Sequence, residues 1–563
     1  MATARKKKSA PAKKTPAKKV PAPRKTSGSR KPAPAGKIDS VIIRMYCLGT
    51  GDCFLVKFCS GAREVFTMMI DCGSCRGDAA AFTPYLEDLA GSLSNRTIDL
   101  LVVTHEHNDH VNGFDKCLDI FDKLTIKQAW FAWTENPEDP NGDAAALKKK
   151  QEKMKTALQN SMTAIIEKHR AFAASPEKNA YKTPLMESNK AFLNGLDTLA
   201  QINLTDAGKG AAQSPPLSGM KKIKDLLIRK KVPTRYLSPG ETVPLPALPG
   251  LKFHVLGPPA SRDFIFKDGH QGTDVYKKNL ALNDSSLAIN AFLRMGSAPT
   301  PNDLPFVSTY VVEPDASSAN QPTGIIRATD ASQPTASRYT NAKPPGNAGH
   351  PVADEPIDAD EAIMKAYRDP VNAWRAIDDD WLNSAGSLAL RLNSHINNTS
   401  LVLAIEFDDS KKVLLFPGDA EYGSWESWHL IEKWLTKGKD KRPWAEDLLN
   451  RTVFYKVGHH LSYNGTALEK GILMMESPEL AAMATLDRHR IAKGWTSTMP
   501  NTFLMQELIR RTQGKFFIMD EFEIAKGPSK RLDPDTLGKK VYQTRTFKGK
   551  KKIIYKQFTV TGL

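Results

Sequence analysis

The sequence predicts an α/β protein, and three observations carry that prediction. Short apolar runs bounded by turn residues, read as strands, cluster at 40–70 and again at 400–457. A helix-spaced segment separates the first cluster from a further, fully apolar run. That run and a later one each end in a histidine-bearing turn, and side chains that do chemistry commonly sit where α/β strands end.

Taken in order, "DSVIIRMYCLG", "CFLVKFCS" and "EVFTMMIDCG" are three consecutive strands, parted by turns at Gly49–Asp52 and Ser60–Ala62. "GDAAAFTPYLEDLAGSL" is helical, and "IDLLVVTH" is a buried strand. From about 141 to 231 the pattern becomes helical: "DAAALKKKQEKMKTALQNSMTAIIEKHRAF", "ESNKAFLNGLDTLAQI" and "MKKIKDLLIRKK". "LKFHVLGPP" returns to strand, and "DSSLAINAFLRMG" is a strand or a short helix. Residues 297–360, rich in Pro, Ala, Ser, Thr, Asn and Asp, make a long irregular loop. "DEAIMKAYRDPVNAWRAIDDDWL" is helix. "GSLALRLNS", "TSLVLAIEF" and "KKVLLFPGD" are strands, and "TVFYKVGHHLSYNG" is a strand running into the second histidine turn. Beyond Pro478, "NTFLMQELIRRT" is helix, while "KFFIMD" and "KKIIYKQFTV" are strands. The expected organisation is a tail (1–38), a first α/β half (39–140), a helical insertion (141–235), a continuation (236–295), a loop-rich and helical insertion (296–384), a second half (385–475) and a C-terminal α+β extension (476–563).

The formal charge of +17 is unevenly placed. Residues 1–38 hold thirteen Lys and Arg and no acid, which leaves about +4 for the other 525 residues. This tail has almost nothing apolar to bury. It is expected to be disordered and to bind polyanions by neutralising phosphates, or else to serve only as a solubilising leader. No run of about 18 apolar residues offers a membrane span, and the N-terminus lacks the apolar core of a secretory signal. The six cysteines (47, 53, 59, 72, 75 and 117) are not spaced as a disulfide scaffold, so a reducing cytoplasm is expected. Cys72 and Cys75 form a Cys-x-x-Cys with no second pair to complete a zinc site, and are read as small buried thiols.

The chemistry is concentrated in "VVTHEHNDHVNGF". A divalent metal that activates water needs imidazoles and carboxylates converging with one position left open. His105, His107, Asp109 and His110 can converge on a tight loop but not on a strand, which would send alternate residues to opposite faces. Strands ending downstream offer Asp419 in "LLFPGDAE" and His459 in "YKVGHHLS", while Asp71 can orient the cluster from behind. His460 is expected to point elsewhere. Lys456, Ser462 and Asn464 flank the second turn, either to contact a substrate phosphate or only as turn residues.

His-x-His-x-Asp-His after a buried strand, with Asp-Cys-Gly upstream and Gly-Asp and then His downstream, resembles the metallo-β-lactamase superfamily. "LGTGDCFLVKF", "NNTSLVLAIEF", "VLLFPGDAE" and "YKVGHHLSYNG" resemble more closely the hydrolase domain of ComEC-type DNA-uptake proteins, over about 40–115, 250–290 and 385–470. The resemblance implies an αββα sandwich with one or two divalent ions, zinc or manganese ahead of magnesium. It implies that His105 and His107 hold a first metal and that Asp109 and His110 serve a second. Asp109 is then also the proton acceptor, Asp419 a bridge, His459 the completing ligand and Asp71 a support. Asp109, His110 and Asp419 are thus the residues implied in catalysis. The chain departs from the superfamily where a third first-site histidine is usual: that stretch reads "NSHINNTSLVL", with Asn398 or Ser400 at the position and His395 upstream. It departs from the competence type at His107, where Asp is usual.

The function expected is a metal-dependent hydrolase, a phosphodiesterase or nuclease cutting DNA through a metal-activated hydroxide, with nucleic acid as partner of the basic tail. The alternatives are a small-molecule hydrolase for an ester, a lactam or a cyclic nucleotide, and a nucleic-acid-binding module with weakened catalysis.

Overall fold

The computed structural model describes residues 36–174, 193, 196–197, 199–204, 218–267, 380–434, 444–487, 499–519, 542–547 and 550–563. The basic tail up to residue 35, the segment 284–296, the loop 297–360 and all but the last three residues of the helix expected at 360–382 lie outside these residues. The described strands are β1 (Ser40–Tyr46), β2 (Phe54–Ser60), β3 (Arg63–Ile70), β4 (Thr97–Ile98), β5 (Leu100–Val102), β6 (Thr125–Ile126), β7 (Ala129–Ala132), β8 (Thr234–Leu237), β9 (Thr242–Pro244), β10 (Leu251–Gly257), β11 (Val402–Phe407), β12 (Val413–Phe416), β13 (Thr452–Lys456), β14 (Ala481–Ala484), β15 (Phe516–Ile518), β16 (Tyr542–Phe547) and β17 (Lys550–Thr561).

They form two main sheets, ordered β16-β17-β1-β2-β3-β5-β7-β8 and β15-β14-β13-β12-β11-β10-β9. The sheets pack face to face. Phe54 of β2 meets Phe416 of β12 at 6.5 Å between ring centroids, and Trp130 of β7 meets Phe253 of β10 edge-on at 5.3 Å. The two-residue period of a strand explains how the second sheet is buried on both sides. Leu403, Ile405 and Phe407 of β11 enter the core shared with the first sheet, while Val402 and Ala404 join Trp425, Trp428, Leu448 and Leu504 on the outer side. Helices Ala79–Ser92, Asn108–Lys116 and Ser218–Arg229 cover the first sheet through Phe82, Phe114 and Ile223. Helices Tyr422–Trp428, Trp444–Asn450 and Thr502–Thr512 cover the second. The layers therefore run helix, sheet, sheet, helix. The segment 476–563 is part of both sheets: β14 and β15 extend the second and β16 and β17 the first.

One expected strand is a helix. "GSLALRLNS" lies within the helix Asp380–Asn397. Leu388, Leu390 and Leu392 alternate as in a strand, but Ala385, Leu388, Ala389, Leu392 and Ile396 also follow helical spacing, and that face is the one buried. It packs on Met154, Leu158, Met162 and Ile165 of the helix Asp143–Ala174 and on Leu199 and Leu204, forming a small core of its own. The insertion thus has a hydrophobic reason to fold above the sheets.

Ion pairs tie it down. Glu106, inside the histidine motif, accepts from Lys148 at 2.7 Å and Lys155 at 2.8 Å, and Glu135 accepts from Lys148 and from Lys224 at 2.7 Å. Burial alone would raise the Glu106 carboxyl, but the two ammonium groups hold it well below the ordinary range. Removing one partner of a buried pair costs about 3–5 kcal/mol because the other charge is left unpaired. Glu106→Ala is therefore expected to loosen the helix Asp143–Ala174, seen as faster protease cleavage within 141–235 than elsewhere. Equal cleavage of both proteins would refute that anchoring role.

Candidate metal centre

Each group arrives from the end of a strand. β3 ends at Ile70 and the next residue, Asp71, adopts a left-handed φ of 54°. β5 ends at Val102, a loop carries Thr104 to His107, and the helix Asn108–Lys116 starts with Asp109 and His110 in its first turn. The tight loop expected over the whole motif thus covers only its first half. Gly73 lets the two segments touch, since a Cβ there would lie 2.4 Å from the Asp109 carbonyl carbon. β12 delivers Asp419, and β13 leads into Gly458–Leu461, where His459 and His460 both have positive φ, 44° and 48°.

The hydrogen-bond network assigns the imidazole tautomers. Thr104 gives its hydroxyl proton to Asp71 Oδ2, so toward His105 Nδ1, 3.0 Å away, it accepts. The lone pair of His105 is then on Nε2. Asn203 donates through Nδ2 to the Leu199 carbonyl and to Asn393, which makes its Oδ1 the acceptor 3.0 Å from His107 Nε2. The His107 lone pair is then on Nδ1. Those two lone pairs face each other 3.0 Å apart. Burial, the largest influence on both, holds His105 well below its ordinary range and brings His107 down to about 4, so both rings are neutral.

A second set meets beside the first, with the His105 and His110 rings 4.2 Å apart. Asp71 Oδ2 takes the His110 Nδ1 proton at 2.8 Å and the Thr485 carbonyl takes that of His460 at 3.0 Å. His110 Nε2 stands 3.0 Å from Asp419 Oδ2, and His460 Nε2 stands 3.1 Å from both Asp419 Oδ2 and Asp109 Oδ2. All four residues are buried. Burial works against charge on His460, but Asp419 and Asp109 overcome it and raise the ring to about 9; His110 is raised well above its ordinary value by Asp419 and Asp52. Burial would likewise raise Asp109, yet the His460 hydrogen bond and the neighbouring imidazoles bring it to about 2.

This donor set fits divalent metal. At the first pair acceptors are turned toward acceptors, and buried Asp109 Oδ1 has no hydrogen-bond partner among the described residues. The first pair offers two imidazole nitrogens and the second set two nitrogens and two carboxylates, ligand types that divalent metals accept.

The structure brings His105, His107, Asp109, His110, Asp419 and Asp71 together, and of the two later histidines it turns the other one inward. His460, not His459, faces Asp109 and Asp419. His459 instead lies 3.1 Å from Glu421 and 2.7 Å from the Ser462 hydroxyl through Nδ1, with Asn397 at 3.2 Å from Nε2. His395, in the last turn of the helix Asp380–Asn397, is buried and packs edge-on against Phe266. Ser400 occupies the place near the first pair, its hydroxyl 3.2 Å from His105 Nδ1. Asn398 accepts the Glu421 and Ser424 amides and so shapes the turn after Asp419. Lys456 has no donor left for a substrate: Asp52, Asp419 and the Gly418 carbonyl take it at 2.6, 2.9 and 2.8 Å. Ser462 and Asn464 serve His459 and Glu421.

Sequence reasoning gave no role to Asp52, Asn203, Asn397 or Glu421. Asp52, in "GTGDC", had the best signal, a lone acid between a glycine turn and a strand. Cys75, half-buried, donates to Asp109 Oδ2 at 3.6 Å, and burial together with that carboxylate keeps it a thiol; Cys72 is fully buried. A cavity of about 20 Å³ opens among Cys75, His107, Asp109, Ile202, Asn393 and His460, enough for one water.

No described helix is long and apolar enough to cross a membrane. No curated protein and no solved structure matches the chain. Residues 48–129 do match the family model of the metallo-beta-lactamase superfamily, a span that holds the whole histidine motif.

Proposed function

We propose that the protein is a metal-dependent phosphodiesterase that cuts DNA. The hydrolase part rests on the superfamily domain and on the buried histidine–aspartate set, a type of centre generally used for metal-dependent hydrolysis. The nucleic-acid part rests on one observation, the thirteen basic residues and no acid in 1–38, beside a nearly neutral remainder. Bound by His105 and His107 and by Asp109, His110, Asp419 and His460, divalent metal would acidify a water and neutralise charge developing on the phosphoryl oxygens. The chain's own groups do the rest. Asp109 Oδ1, without a protein partner among the described residues, would take the proton of the attacking water. Asp71 and the Thr485 carbonyl hold His110 and His460 by their far nitrogens. Lys456 fixes Asp419 through Oδ1 and leaves Oδ2 facing the imidazoles.

A second reading, a small-molecule hydrolase, is favoured by the small cavity, which Ile202 of the insertion and Asn393 help to line. The test is cleavage of single- and double-stranded DNA by the full chain in Mn²⁺, Mg²⁺ and Zn²⁺, beside Asp109→Ala and a variant lacking residues 1–37. Metal-dependent cutting is expected, lost in Asp109→Ala. It should be weakened without the tail and recovered at low salt, where fewer phosphate contacts suffice. No cutting in any metal, with metal bound, would end the nuclease reading and leave the second.

A further inference from the structure

We infer that Asn203, brought by the helical insertion, is a positioning residue that sets the tautomer of His107 and thereby creates the first metal site. The inference rests on the metal reading above. Asn203 lies outside the span matched to the superfamily and 96 residues from its partner. It is fully buried, and its amide has one arrangement that satisfies the network: Nδ2 toward the Leu199 carbonyl at 2.8 Å and Asn393 Oδ1 at 3.3 Å, Oδ1 toward His107 Nε2. Only that arrangement leaves the His107 lone pair on Nδ1, opposite the lone pair of His105. With the other tautomer Nδ1 would carry a proton and the pair could not share an ion. Hydrogen bonds to the far nitrogen of a ligand histidine act in this way at metal sites generally, and losing one typically weakens the metal about 10–100-fold.

The insertion is also held by the motif that it serves. Asn108 donates through Nδ2 to the carbonyls of Gln201 and Leu204, at 2.7 and 3.0 Å, clamping the turn that bears Asn203. A first site of only two imidazoles, with Ser400 where a third histidine is usual, thus depends on a docked insertion. Among the described residues the second set makes no such contact with it and should not depend on it.

The experiment is calorimetric titration of the metal-free full chain with Zn²⁺, with metal content measured after dialysis, for the unsubstituted protein, Asn203→Leu and Asn203→Asp. Melting temperatures of the metal-free proteins check folding. Two binding events are expected in the unsubstituted chain. Asn203→Leu should keep the tighter event and weaken the other about 10–100-fold, while Asn203→Asp, which still accepts from Nε2, should keep both. A merely structural role would instead rank Asp with Leu, because both lose the donor to Leu199 and Asn393. That ranking, a single event in the unsubstituted chain, or two events unchanged in Asn203→Leu each overturns the inference. No metal binding at all overturns the metal reading itself.

Discussion

Asp419→Asn is expected to lower turnover by about 10³-fold and to strip metal from the second set. Oδ2 faces the Nε2 atoms of His110 and His460, while Oδ1 accepts from Lys456 at 2.9 Å and from the His459 amide at 3.1 Å. An asparagine cannot serve both sides. With its NH₂ toward the imidazoles it points a donor where a ligand lone pair is needed; turned round, it opposes the Lys456 ammonium and an N–H. It also removes one of the charges that balances buried Lys456, and an unpaired buried charge is costly. Metal typically contributes several kcal/mol of charge stabilisation in such hydrolyses, and about 4 kcal/mol corresponds to the thousandfold loss. Turnover of a chromogenic phosphodiester, read beside metal content, checks this. Activity within tenfold of the unsubstituted protein would show that Asp419 is no metal ligand.

The pair His459→Ala and His460→Ala should separate adjacent histidines with different duties. His460→Ala removes one of four converging donors and is expected to weaken the second metal by at least about 100-fold, beyond what loss of a supporting hydrogen bond usually costs. His459→Ala should change metal affinity less than about tenfold, because its ring bonds Glu421, Ser462 and Asn397 instead. His459 borders the cavity, so its loss should appear in KM. Equal loss of metal in both variants would refute the division. The turn itself supports a functional site: three successive non-glycine residues, His459, His460 and Leu461, have positive φ and are strained, and such strain tends to gather where chemistry is done.

That turn also marks where reading the sequence stopped. The cluster from His105 to His110 was legible because its ligands are close along the chain and follow a fully apolar run. Asp71 and Asp419 were legible as acids at the ends of strands. Nothing in "GHHLS" says which ring turns inward, since that depends on two backbone angles that a regular strand or helix would not adopt. Asn203 and Glu106 were silent for another reason. Their partners lie 96 and 42–49 residues away, and an asparagine on a helix-rich stretch or a glutamate in a polar loop looks solvated until the insertion docks. The helix Asp380–Asn397 was misread because its leucines satisfy both periods, and only packing on the insertion chooses between them. The α/β class was visible in the strand runs and the two-sheet architecture was implied by the resemblance, but the pairing that joins residues 40–46 to 555–561 was not visible, because pattern alone carries no register over such a distance.

That pairing decides when the protein can be finished. β1 lies between β2 and β17, with Ser40 opposite Thr561 and Val41 opposite Val560. Until residues 550–561 have left the ribosome, one side of β1 has no neighbour and its backbone groups stay open to any extended chain nearby. Late contacts between distant segments fold slowly, and chains waiting with open edges tend to associate. Nascent chains stalled, or proteins nicked, before β17 would therefore have an unguarded edge on the sheet that carries the histidine motif, and a nearby strand from another molecule could fill it.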